Sequence, residues 1–189
     1  MKNITQSKLV ISGIGLILFM ILAVGSTDCN STKTPAATMA GINDSKILLK
    51  LSLERVNPKV DGTTGEIDDA YGELKNYLEA KKLTSDTIRE LELNLESMRS
   101  KYKELVDSVD ETEGNANDLF SLLRRRAEQN ETETMRLNML SDIKTKEQSF
   151  SDHIGSVRGV LGVLAKSIQK YDDIVGFVQV KKGLEGIDD

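Results

Sequence analysis

Ile88 to Leu123 reads IRELELNLESMRSKYKELVDSVDETEGNANDLFSLL, and its apolar residues fall on a seven-residue repeat. Ile88, Leu95, Tyr102, Val109, Ala116 and Leu123 hold one position of the repeat; Leu91, Met98, Leu105 and Leu119 hold the intervening one, with Thr112 as its polar member. Apolar residues repeating at this spacing form a narrow stripe along a helix, the pattern of coiled-coil packing. Gly114-Asn115-Ala116-Asn117 looks like a break, but the register runs through it unchanged. A weak point or bend in one helix is therefore expected there rather than a turn.

The better turn is Gln129-Asn130-Glu131, where Asn130 suits an N-cap and Glu133 the N3 position of a following helix. A second seam begins beyond it. Leu140, Glu147, Ile154, Leu161, Ile168 and Val175 share one position, and Ile143, Phe150, Val157, Leu164, Tyr171 and Val178 the other. Glu147 is either a register-setting polar residue or a seam position open to water. Thr87–Gln129 and Glu131–Val178 correspond to about 65 and 72 Å of helix at 1.5 Å per residue. Two helices of matched length joined by a short turn fold back as an antiparallel hairpin.

Upstream, Lys46–Val56 reads as a short helix ended by Pro58. Asp61 to Gly65 reads as a turn, with Thr63 and Glu66 as a capping box. From Glu66 to Leu83, Ile67, Ala70, Tyr71, Leu74, Tyr77 and Leu78 share one face. Gly72 inside that helix would be justified by the close approach of another helix. Thr87 with Glu90 supplies a second capping box. The expected fold is all-α: an antiparallel coiled-coil hairpin within an elongated three- or four-helix bundle spanning 44–180, with a polar tail at 181–189.

Composition agrees. Of 189 residues, 29% are charged and 4% aromatic, with two Pro, one His, one Cys and no Trp. This describes a long-helix protein better than a sandwich, a barrel or an α/β enzyme. A net charge of −5 argues against nucleic acid as a partner.

The N-terminus addresses the chain to a membrane. Lys2 and Lys8 precede Leu9–Gly25 (LVISGIGLILFMILAVG), which carries no charge. Residues 1–25 read as a transmembrane anchor, slightly short, or as a signal peptide cut near Ala23-Val24-Gly25. Either way, the lysines hold the N-terminus inside and export the rest, to the periplasm or the cell exterior. Residues 26–43, small and polar with Pro35, read as a flexible linker. Cys29 raises the possibility of lipidation, but Asp28 fits a lipoprotein signal poorly, and a lone thiol in a tether is the plainer reading. Asn30-Ser31-Thr32 and Asn130-Glu131-Thr132 match glycosylation sequons, relevant only in a eukaryote.

No catalytic, cofactor-binding or metal-ligating set is expected. His153 is the single histidine, which excludes two-His metal sites, and no Glu-x-x-His pair or phosphate-binding glycine loop occurs. Two features suit partner contact. Arg124, Arg125 and Arg126 suit phosphates or anionic lipid, although Glu128, Glu131 and Glu133 nearby suggest an ordinary solvated face. Gly155, Gly159 and Gly162 form a small-residue stripe, fitting either a tight crossing within the bundle or a groove for a partner.

Gly65-Glu66-Ile67-Asp68-Asp69-Ala70-Tyr71 with Leu74 and Asn76, then Val109-Asp110-Glu111 and Asp118-Leu119-Phe120, resemble an uncharacterised family of all-helical bacterial envelope proteins. Lys181-Lys182-Gly183-Leu184 is similar to a later segment of it. The family's Trp after the Leu-Phe pair is missing here. The resemblance implies an envelope location and a helical fold, and no activity. The functional expectation is a non-enzymatic, membrane-tethered or exported scaffold or interaction module. Its partners would be the membrane, through the N-terminal segment, and a protein or a second copy, through the helical seams. The alternative is a sensory or ligand-binding bundle with a polar internal cavity.

Overall fold

The computed structural model describes residues 36–80 and 84–185, which form an all-helical three-helix bundle. The helices are α1 (Ala36–Ala80), α2 (Ser85–Glu128) and α3 (Glu133–Glu185). The anchor or signal at Met1–Gly25, Cys29 and the first sequon lie outside the described residues. Among the described residues, no helix is long and apolar enough to cross a membrane.

α1 departs most from expectation. Residues 36–43, read as linker, belong to it, and it continues through Pro58 and through Asp61–Gly65, where a turn was expected. The reason lies in the buried stripe. Ile42, Leu49, Leu53, Val56, Val60, Thr63, Ile67, Ala70 and Leu74 are all buried and follow three- and four-residue steps. The phase does not change at Pro58, so one helix keeps the whole stripe on one face. Pro58 is exposed. The Glu54 carbonyl that loses its donor therefore faces water and can be hydrated. Thr63, expected as a cap, is instead buried mid-helix. Its hydroxyl donates to the Lys59 carbonyl at 2.7 Å and lies 3.3 Å from the Lys101 carbonyl of α2.

The chain divides into two compact units. One holds α1 up to Asn57 with Ser108–Arg158. Its core combines Leu49, Leu53 and Val56 with Val109, Leu119 and Phe120, and with Phe150, Ile154 and Val157. Phe120 meets Phe150 edge-on at 6.1 Å. Arg124 pairs with Glu147, and Arg158 with Asp110 at 2.8 Å and with Glu113. Numbers rising on α3 as they fall on α2 make the two antiparallel here. In the connecting turn Asn130 accepts from the Thr132 amide at 3.0 Å, and the Thr132 carbonyl accepts from the Arg136 amide at 2.9 Å. Thr132 thus starts α3, while Asn130 shapes the turn two residues earlier.

The other unit runs from Pro58 to Asp107 and from Gly159 onward. Val60, Ile67, Ala70 and Leu74 are buried with Leu91, Leu95, Met98 and Leu105, and with Leu161, Leu164, Ile168, Tyr171, Val175 and Val178. The N-terminus of α2 carries a reciprocal cap one turn before the expected one. Thr84 Oγ1 accepts from the Thr87 amide at 3.2 Å, and Thr87 Oγ1 accepts from the Thr84 amide at 2.8 Å. At the other end of the chain, residues 181–185, read as polar tail, continue α3.

An interior proline ordinarily costs a helix about 3 kcal/mol relative to alanine. Replacing Pro58→Ala should therefore stabilise the protein by about 1–3 kcal/mol, read as a higher midpoint in thermal unfolding followed by circular dichroism. A lower midpoint would show that the chain needs a break there.

Candidate interaction surface

The ion pairs are unevenly distributed. Arg55–Glu111 and Glu66–Lys101 tie α1 to α2. Arg99–Asp172, Arg124–Glu147 and the forked Arg158 pairs tie α2 to α3. Among the described residues, none joins α1 to α3. Those helices meet in the second unit through Tyr71, whose hydroxyl donates to the Ser167 carbonyl at 2.8 Å and whose ring stands edge-on to Tyr171 at 5.4 Å. The two run in the same direction there.

Beside this contact lies an open groove of about 390 Å³, bounded by Tyr71, Leu74, Lys75, Leu78, Glu79 and Ile174. Leu78, placed on the buried face by its spacing, is 46% exposed at the groove. α3 continues the apolar character outward: Phe177 is 69% exposed, and Val180 and Leu184 are exposed as well. Val163, also exposed, lies on the same helix. An exposed phenyl among exposed aliphatics at helical spacing marks an interaction surface more specifically than scattered single residues do.

The residues singled out from the sequence sit elsewhere or act differently. Gly155, Gly159 and Gly162 are exposed, and a methyl group added at any of them would meet nothing within 4 Å. They do not form a tight crossing in the bundle, and Gly72 is equally open. The arginine run is no single patch. Arg124 turns to Glu147 on α3, Arg125 is exposed, and Arg126 is half-buried with an interaction of its own. Glu147 is accordingly a half-buried seam residue held by an arginine. His153 is half-buried, and burial lowers its pKa by disfavouring the charged ring. Among the described residues, no group of three His, Cys, Asp or Glu could hold a metal ion.

The sequence reading missed Phe177, Val180 and Leu184 as surface residues. Phe177 falls one position before Val178 on the seam, about 100° out of phase, and that phase was the available signal.

Electrostatics along the α1–α2 contact fix α1 rather than perform chemistry. The hydrogen bond from Lys101 holds the Glu66 carboxyl below its ordinary 4.5. The Tyr77 hydroxyl donates to Glu90, and that bond pushes the phenol up to about 12. Because the folded-state pKa of Glu66 is depressed, its pairing stabilises the fold above the unfolded pKa and is lost as pH falls through the folded one. Glu66→Gln should thus cost at most about 1 kcal/mol at neutral pH, given the exposure of Lys101. The difference in unfolding midpoint should shrink as pH falls through the folded-state pKa of Glu66. A gap that persisted in acid would assign the loss to packing.

No family model, curated protein or solved structure matches the chain, so what it does has to be read from its own residues.

Proposed function

We propose that the chain is a non-enzymatic interaction module of the cell envelope, tethered or exported through its N-terminal apolar segment, with its helical bundle outside the cytoplasm. The carrying observation is the apolar surface around the α1–α3 groove, with Phe177 69% exposed beside a core that is otherwise well buried. A helix from another protein fits such a groove through apolar anchors at three- and four-residue steps. A small polar solute gains little from it, because few polar groups converge there. The seven-residue spacing of Leu91, Met98, Leu105 and Leu119, and of Ile154, Leu161, Ile168 and Val175, supports coiled-coil packing of the α2–α3 hairpin. The location rests on Lys2, Lys8 and the uncharged Leu9–Gly25 run. The resemblance of Gly65–Tyr71 and Asp118–Phe120 to the envelope family points the same way.

Fractionation tests the location. The full chain should stay with the membrane through high-salt and carbonate washes, and protease added outside an opened outer layer should degrade the bundle. Release as a soluble protein beginning near Ser26 would establish cleavage and export instead. Retention in the cytosol would overturn the proposal.

A further inference from the structure

Tyr71, bonded to the Ser167 carbonyl and edge-on to Tyr171, fixes how α1 and α3 line up in the second unit. Asp68 lies level with Lys166, Lys75 with Asp173, and Glu79 with Phe177, a turn short of Lys181. At the two levels that flank Tyr71 the charges therefore read acid then base along α1, Asp68 and Lys75, and base then acid along α3, Lys166 and Asp173. All four of these charged side chains are exposed. Among the described residues, no ion pair joins one flank to the other; Lys75 reaches only its own neighbour Glu79, at 3.7 Å. Leu78 and Ile174 line the groove between the helices, and Phe177 is exposed on α3 one turn from Asp173. The surface thus has an apolar centre and two rims of opposite, level-matched charge order.

We propose that this surface pairs with the same surface of a second copy, the two chains running parallel. With a two-fold axis along the helices, α1 of one copy faces α3 of the other at the same level. Asp68 then meets the second copy's lysine at 166 and Lys75 its aspartate at 173, while Leu78 packs against its phenylalanine at 177. An antiparallel pairing places α1 against α1 and loses this match. Rim charges of this kind set register and sense, while the apolar centre supplies the driving force. The parallel sense also brings both N-termini to one side, as two chains entering the same membrane require. The inference names the partner of the surface described under the proposed function and rests on that reading of it.

The test uses full-length chains in the membrane, two epitope tags and a Cys29→Ser background. One chain carries Leu78→Cys and the other Phe177→Cys, expressed together or singly and then oxidised. Together they should give a disulfide-linked dimer bearing both tags, several-fold more abundant than any dimer from either alone. Adding Lys166→Glu to the Phe177→Cys chain should reduce that product, and Asp68→Lys on the Leu78→Cys chain should restore it. Restoration separates recognition from misfolding. Equal crosslinking by each variant alone would overturn the parallel arrangement. A crosslinked product lacking a second copy would overturn self-pairing yet leave the interaction surface standing. The absence of any crosslinked product would remove both.

Discussion

The bundle depends on one column of α2. Leu91, Met98, Leu105, Thr112 and Leu119 recur every seven residues and are fully buried. Within each unit, α2 buries its part of the column only if its neighbours stay in contact with it turn after turn. Burying an aliphatic side chain contributes about 1.5–3 kcal/mol, so a column of this length outweighs local preferences against helix in its neighbours. The polar member is satisfied within its own turn: Thr112 donates to the Ser108 carbonyl at 2.8 Å.

That dominance explains what the sequence disclosed and what it hid. The α2 and α3 stripes repeat without interruption, and Leu91, Leu105, Leu161 and Leu164 are buried as their spacing requires. α1 carries the same kind of stripe, but with Pro58, Gly62 and Gly65 set into it. Residue by residue, those three argue for a turn. The stripe argues for a helix only when Ile42 to Leu74 is followed as one phase. Local propensity and long-range burial conflicted, and burial prevailed because the breakers lie on the exposed side. Capping was legible in kind but displaced in place. Thr84 and Thr87 cap each other, and a threonine pair carries a weaker sequence signature than the Thr-x-x-Glu pattern beside it.

The candidate surface was harder to read for a different reason. A seam states which residues are shielded by a partner within the chain, and it is silent about apolar residues just outside it. Phe177 and Val180 flank Val178 and pass for the broad edge of a core stripe. They are recognisable as surface only once α2 is seen to occupy the other flank of α3, through Arg99–Asp172 and the bond from Gln179 to Glu92. The glycine stripe misled in the opposite sense. Small residues permit close approach, but permission is not contact, and open space surrounds all three.

The α1–α3 flank differs in composition from the outward face of α2. The outward positions of α2 include Arg89, Glu92, Glu96, Lys103, Glu104 and Asp107, with Leu93 as an isolated exposed apolar residue among them. That is the composition of a helix face selected for water. α3 beyond Ile174 instead exposes a phenyl, a valine and a leucine within eight positions, Phe177 to Leu184, interspersed with lysines. Long lysine stems can cover apolar neighbours while their charged ends stay hydrated, so such a face remains soluble when unpaired. It still retains the apolar area that a second helix would remove from water. A face that tolerates both states suits association that is reversible.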